Sequence, residues 1–211
     1  MKLEDIRRDY LKGSLDIEHL LNDPVKQFKS WFEDALNADI PDSNAMTLAT
    51  ADAYGKPSAR IVLLKGFDKH GFRFFTNFSS RKGAHLEVNN TAALLFYWPQ
   101  LDRQVRIEGS VNTIPEEEAR AYFDERPYES RISALASPQS QPVPDREYLV
   151  KKVEEYISKF DKDNVPKPDE WGGYRLKPAY FEFWQGRTNR LHDRFRYTLV
   201  DGVWKINRLA P

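Results

Sequence analysis

The chain has 211 residues, 32 of them Lys or Arg and 32 Asp or Glu, and it contains no cysteine. That length suits one sizeable core rather than two ordinary domains, and the balanced charge leaves no global field to draw the chain to nucleic acid or to an anionic membrane surface. Without thiols there is no disulfide framework or thiolate chemistry, and His19, His70, His85 and His192 show no paired metal-ligand spacing, so no metal site is expected.

Residues 1–23 are charged with scattered apolar positions (Leu3, Ile6, Tyr10, Leu11), the pattern of a short, mobile docking segment. The opening lacks the apolar core of a signal peptide, and the longest apolar run, 92–98, is far below the ~20 residues of a membrane span, so a cytoplasmic protein is expected. Pro24 opens a clearer helix to about Asn37, with Val25, Phe28, Trp31, Phe32 and Leu36 on one stripe, and a polar loop over 39–44 follows. The period then changes to short β-type runs: 45–51, a turn at 54–57, 58–65, a turn around 68–71, and 72–77, an antiparallel meander. Ser79 and Ser80 are good N-caps for a helix through Val88, and 91–98 and 104–113 read as two further strands.

Pro115 with Glu116, Glu117 and Glu118 starts a helix as the macrodipole favours, and Pro127 stops it. A helical piece covers about 128–136, a loop rich in Ser, Pro and Gln runs over 137–145, and 146–160 is an amphipathic helix on Leu149, Val153, Tyr156, Ile157 and Phe160. Strands at 174–185, 194–200 and 203–208 close the chain, the last two joined by the hairpin dipeptide Asp201-Gly202. Short strands in meander order, with helices between and around them, predict a small antiparallel β-barrel of the α+β class. Neither a Rossmann nor a P-loop fingerprint is present.

Several stretches carry chemistry, each with a plain structural alternative. Arg81 and Lys82 stand in the first turn of a helix, where cations oppose the dipole by some tenths of a kcal/mol each; they either point into water or await a phosphate. In the strand over 60–65, alternation places Arg60 and Lys65 on opposite faces, suited to two different anions or simply to snorkelling ends. Tyr122 and Arg126 share a helix face with Ser130 beyond the Pro127 turn, which makes either a phosphate cradle or an ordinary core and surface pair. Gln104 could hydrogen-bond a planar heterocycle and Trp184 could pack on one. The densest run, 183–196, crowds four arginines, His192 and Asp193 between strand-like segments, as an anion site or as a solvated turn.

Together, the segments 60–65, Phe75-Thr76-Asn77 with Ser80-Arg81-Lys82, Arg103-Gln104-Val105, 137–140, Trp171-Gly172-Gly173, 183–186 with 190–194, and Arg208-Leu209-Ala210-Pro211 resemble the pyridoxamine (pyridoxine) 5′-phosphate oxidase family almost from end to end. The resemblance implies a split β-barrel that binds FMN and a homodimer with two flavins at its interface. It also implies oxidation of pyridoxamine or pyridoxine 5′-phosphate by O2 to pyridoxal 5′-phosphate, with H2O2 and, from the amine, NH3. By motif the flavin site is similar to Arg60, Ile61, Val62, Leu63, Leu64, Lys65, Phe75, Thr76, Arg81, Lys82, Gln104, Gln139, Ser140, Trp184 and Arg194. The substrate site is similar to Lys65, Tyr122, Arg126 and Ser130 around a phosphate, with Arg190, Leu191 and His192 at the pyridine ring. Arg190 is then expected to clamp that ring, and His192 to orient or deprotonate the C4′ substituent. Arg7, Arg8, Asp9 and Tyr10 match an N-terminal segment that closes over the substrate, leaving 24–211 as one flavin-binding domain. Phe75 departs from the tyrosine that many relatives carry. The competing expectations are a related flavin or deazaflavin enzyme with another substrate, and a non-catalytic flavin or pyridoxal-phosphate carrier.

Overall fold

The computed structural model describes residues 9–211. Helix α1 (Pro24–Asn37) starts where Asp23 accepts hydrogen bonds from the Val25 N–H at 2.8 Å and the Lys26 N–H at 3.4 Å, with proline in the first turn. Its apolar stripe buries Phe28, Trp31 and Ala35, and Phe28 meets Phe67 and Phe72 edge to face at 4.9 and 5.0 Å. The strands are β1 (Ala45–Ala51), β2 (Pro57–Leu63), β3 (Gly66–Asp68), β4 (Gly71–Asn77), β5 (Thr91–Trp98), β6 (Arg103–Thr113), β7 (Trp171–Gln185), β8 (Asp193–Val200) and β9 (Val203–Leu209). Between them lie α2 (Arg81–Val88), α3 (Glu116–Glu125), α4 (Tyr128–Ala136) and α5 (Arg146–Lys159).

All nine strands join one curled sheet in the order β2-β1-β5-β6-β7-β4-β3, with β8 on β7 and β9 on β8, and every pairing is antiparallel. Strand β7 is the spine. One edge pairs with β6 along its length; the other pairs with β4 over 171–176 and with β8 over 180–185. A bulge at Glu108/Gly109 lies opposite the changeover, and a Cβ on Gly109 would run into the Lys177 carbonyl, so the bend there requires glycine. The sheet's inner face is aromatic, with Phe72, Phe74, Phe96, Trp98, Phe181, Phe183, Phe195 and Tyr197 fully buried. A smaller cluster of Phe123, Ile132, Val165 and Trp171 holds α3 and α4 to the start of β7.

Most expected ends move by a residue, the strand expected over 174–185 starts earlier, at Trp171, and three further differences bear on the site. Strand β2 stops at Leu63, so Lys65 is not placed by strand alternation; it follows the strand, where its N–H bonds to the Arg73 carbonyl. Strand β3 was not anticipated, because three residues carry too little periodicity. Helix α3 ends at Glu125, and Arg126 is extended at φ −70° and ψ 148°, as the residue before a proline is forced to be. Tyr122 and Arg126 are therefore not a helical i,i+4 pair. Among the described residues no helix is long and apolar enough to cross a membrane.

Candidate active site

Ser80 caps α2, accepting from the Gly83 N–H, and this places Arg81 and Lys82 in the first turn. Lys82 is only 9% exposed. Its Nζ donates to the hydroxyls of Thr76 at 2.8 Å and Ser80 at 3.0 Å and to the Gln139 amide oxygen at 2.6 Å. Burial, assisted by the positive charge of Arg60, pushes its pKa down to about 8. Arg60 is held by the Leu48 carbonyl at 3.0 Å and by the hydroxyls of Thr50 and Ser58 at 2.8 and 2.7 Å; burial and then Arg81 lower its pKa too. Lys82 and Arg60 are thus held against neutral oxygens, with the exposed Arg81 near enough to act on Arg60, an arrangement whose cost a phosphate would offset.

Beside this cluster, Lys65, Ile61, Val62, Leu63, Tyr122 and Lys82 line a cavity of about 270 Å³. A second cavity of about 460 Å³ adds Ser130, Glu129, Ser133 and Ser137, and the two share Phe75, Thr76, Arg126, Gln139 and Trp171, so they form one cleft. The Arg126 guanidinium stands 4.9 Å over the Trp171 ring and 5.7 Å from that of Phe123. Its Nη1 is buried without a hydrogen-bond partner, and burial lowers its pKa. Phe75 stacks on Tyr122 at 4.0 Å and on Trp171 at 5.3 Å. Glu118, one turn before Tyr122, ties α3 to the sheet through Arg73 at 2.6 Å and Arg175 at 3.1 Å.

A second group gathers at the other end of β7. Gln104, Trp184 and Arg194 are cross-strand neighbours on β6, β7 and β8 and so share a face. Tyr10 packs edge-on against Trp184 at 5.5 Å and His192 at 5.4 Å, close over Gly186. His192 Nδ1 accepts the Arg187 backbone N–H at 3.0 Å, which puts the proton of the neutral ring on Nε2. Burial, then the charge of Arg190, lowers the His192 pKa. Asn189 and Arg190 have left-handed backbones, at φ 54° and 60°, and Arg190 and Leu191 are exposed. Asp193 accepts from the Leu15 N–H at 3.1 Å, Arg187 at 3.0 Å and Arg208 at 2.7 Å, tying the N-terminal segment and the last strand to this loop. Burial opposes ionisation of Asp193, but the Leu15 N–H and the two arginines outweigh it and hold its pKa below the usual carboxylate range.

Trp171 and Trp184 are the first and next-to-last residues of a 15-residue strand that rises about 3.3 Å per residue. Within one chain, therefore, the group of Arg60, Lys65, Arg81, Lys82, Tyr122, Arg126, Ser130 and Gln139 is separated from Gln104, Trp184, Arg190, His192 and Arg194. Leu64 turns into the core, and Ser140 is exposed with φ 70°. Arg7 and Arg8 lie outside the described residues, and Asp9 is exposed. Trp171, Glu118 and Glu182 were not among the expected site residues; the available signal for Glu182 was an acid between Phe181 and Phe183 in an aromatic strand.

Residues 32–160 match the family model described as pyridoxamine 5′-phosphate oxidase, and residues 171–211 match the pyridoxine 5′-phosphate oxidase C-terminal dimerisation region. Proteins named pyridoxine/pyridoxamine 5′-phosphate oxidase from Cupriavidus pinatubonensis and Nostoc punctiforme are 54% and 52% identical to the chain. The first covers 100% of this chain and 99% of its own length, the second 98% and 97%. Among solved structures, PhzG from Burkholderia lata, in complex with tetrahydrophenazine-1-carboxylic acid, is 31% identical over 94% of this chain and all of its own, with a TM-score of 0.88. A pyridoxamine 5′-phosphate oxidase-related, FMN-binding protein from Nostoc punctiforme shares the fold at 16% identity and a TM-score of 0.72, over 91% of this chain and all of its own.

Proposed function

The chain belongs to the pyridoxamine 5′-phosphate oxidase family, and on that premise we propose that it oxidises pyridoxamine and pyridoxine 5′-phosphates to pyridoxal 5′-phosphate at an FMN site built across a homodimer. When bound, FMN supplies the two-electron acceptor for the substrate's C4′ carbon, with O2 taking the electrons on to H2O2. The residues fit that cofactor: among the described residues Arg60 and Lys82 hydrogen-bond only to neutral oxygens, Arg81 stands beside them, and Gln104, Trp184 and Arg194 offer an amide, a ring and a guanidinium to a planar heterocycle.

Because these two sets lie toward opposite ends of β7, each site takes its phosphate-binding half from one subunit and its ring-binding half from the partner. The match of residues 171–211 to a dimerisation region supports this reading, and two-fold symmetry then gives two sites per dimer. Lys65, Tyr122, Arg126 and Ser130 hold the substrate phosphate, so binding energy remote from the reacting carbon positions C4′. Arg190 clamps the pyridine ring. His192, with Nδ1 occupied by the Arg187 N–H, acts through Nε2 as a hydrogen-bond donor that orients the C4′ substituent; its accepting nitrogen is not free to deprotonate it. Tyr10, against Trp184 and His192, brings its part of the N-terminal segment over the substrate, with 24–211 as the flavin-binding unit. A substrate retained inside the cell by its phosphate fits a cytoplasmic enzyme.

The observation that carries the substrate assignment is the buried, unpartnered Nη1 of Arg126 in the cleft lined by Lys65 and Tyr122. The test is aerobic turnover of purified protein with FMN and pyridoxine 5′-phosphate, following pyridoxal phosphate and peroxide together. Equal formation of both, lost when FMN or the substrate's phosphate is omitted, is expected. Bound FMN with neither product from the alcohol or the amine would move the function to another flavin chemistry.

A further inference from the structure

Glu182 is the one acid on β7 between the buried rings of Phe181 and Phe183, and its side chain is 3% exposed. Both its oxygens are occupied. Oε1 accepts from Arg194 Nε at 2.9 Å and lies 2.8 Å from Arg194 Nη2; Oε2 accepts from Arg106 Nη2 at 2.9 Å and from the Tyr180 hydroxyl at 3.0 Å. Arg194 is fixed further by donating from Nη1 to the Ala210 carbonyl at 2.7 Å. Arg106 also pairs with Glu108, Nε lying 2.9 Å from the carboxylate although poorly aligned for a hydrogen bond. Two arginines face two glutamates, so the cluster is neutral as a unit, in contrast to the all-cationic group of Arg60, Arg81 and Lys82. A phosphate is thus drawn to the cationic group. What Arg194 presents to a ligand is directed hydrogen bonding with its charge already balanced.

We propose that Glu182 is a positioning residue that aims Arg194 at the flavin ring and cancels its charge, thereby holding down the reduction potential of bound FMN. The inference rests on the reading of Arg194 as a flavin contact. Uptake of two electrons and one proton leaves bound FMN with one additional negative charge. A nearby uncompensated arginine stabilises that charge, and a buried carboxylate opposes it. Removing the carboxylate must therefore raise the potential, whereas removing its other partner, Arg106, leaves Glu182 and Glu108 less neutralised and must lower it.

The experiment measures the midpoint potential of FMN in the holoprotein by anaerobic equilibration with a reference dye, alongside FMN affinity from quenching of flavin fluorescence on titration with apoprotein. Glu182→Gln is expected to favour reduced over oxidised FMN tenfold or more relative to the native protein, which is about +30 mV for a two-electron couple. Arg106→Gln is expected to shift the potential the opposite way. Shifts of the same sign in both variants, or no shift in either, would overturn the inference, since a merely structural role weakens binding without reversing sign. If Glu182→Gln does not fold, Arg106→Gln decides alone: a potential raised or unchanged refutes the proposal. Arg194→Gln separates the two levels, because FMN affinity and potential both unchanged there would remove Arg194 from the flavin site altogether, and the inference with it.

Discussion

The Nζ of Lys82 lies 2.6 Å from the amide oxygen of Gln139, a residue 57 positions further along the chain. A buried ammonium whose hydrogen-bond partners are two hydroxyls and an amide is poised to exchange a neutral acceptor for an anionic one.

The first prediction is a pH dependence of FMN binding. The Lys82 pKa is about 8 in the ligand-free fold, and a bound phosphate favours the charged form. Below that value Lys82 is already protonated, so binding needs no proton uptake; above it a proton must be acquired. FMN affinity is expected to be level from the second phosphate ionisation near ~6 up to pH ~8, then to fall by up to about tenfold per unit. The same depression destabilises the ligand-free protein at and below pH 8, and stability recovers as pH rises toward the ordinary lysine value. Equilibrium titrations at pH 7, 8 and 9 with apoprotein check this, and a flat profile that Lys82→Met leaves unchanged would refute it. Gln139→Glu, which supplies a permanent counter-charge, is expected to weaken FMN binding at least tenfold.

Arg126 has a buried nitrogen without a partner, and hydrogen bonds to a charged group contribute about 1.5–3 kcal/mol. Arg126→Gln is expected to lower kcat/KM roughly 10- to 150-fold while FMN affinity changes less than twofold. Steady-state kinetics beside FMN titration separate the two; equal losses in both would move Arg126 out of the substrate site.

For His192, protonation would set an N–H against the Arg187 N–H, in the same direction as the effects of burial and Arg190. The ring is expected to be the neutral Nε2–H tautomer at pH 7 and to titrate below the ordinary histidine value. Because the folded pKa is the lower one, its contribution to stability is present at neutral pH and lost as pH falls through the acidic range. Nitrogen-15 chemical shifts of the imidazole, assigned with His192→Asn, report both; a proton on Nδ1 at pH 7 would contradict the donor role.

Gly83 lies in the first turn of α2, where a Cβ would run into the Phe78 carbonyl. Helix propensity alone favours alanine over glycine by about 1 kcal/mol. Gly83→Ala is instead expected to lower the Tm and weaken FMN binding, because the turn carrying Arg81 and Lys82 must shift. A raised Tm with unchanged FMN affinity would show that the helix start has room.

Short-range chemistry was legible in the chain. Pro24, Ser80 and Pro127 mark helix boundaries where the structure has them, and the runs over 91–98 and 128–136 coincide with β5 and α4, because caps, prolines and periodicity act within a few residues. The positive φ of Asp201 and Gly202 likewise follows from their identities, 51° and 78° in a two-residue hairpin. Motif order, too, sufficed to indicate the family.

What the tertiary structure alone decided depends on contacts across long stretches of sequence. Glu182 draws its partner Arg106 from 76 residues away, and no local pattern announces that a buried acid has a guanidinium on either side. The one-residue change in backbone at Arg126 arises locally from Pro127, yet its consequence, a guanidinium over Trp171, exists only because β4 and α3 converge at the start of β7. The separation of Trp171 from Trp184 was decided in the same way. A list of matching residues has no distances in it, and only a strand with two different partners along one edge shows that the two groups of residues stand apart within one chain.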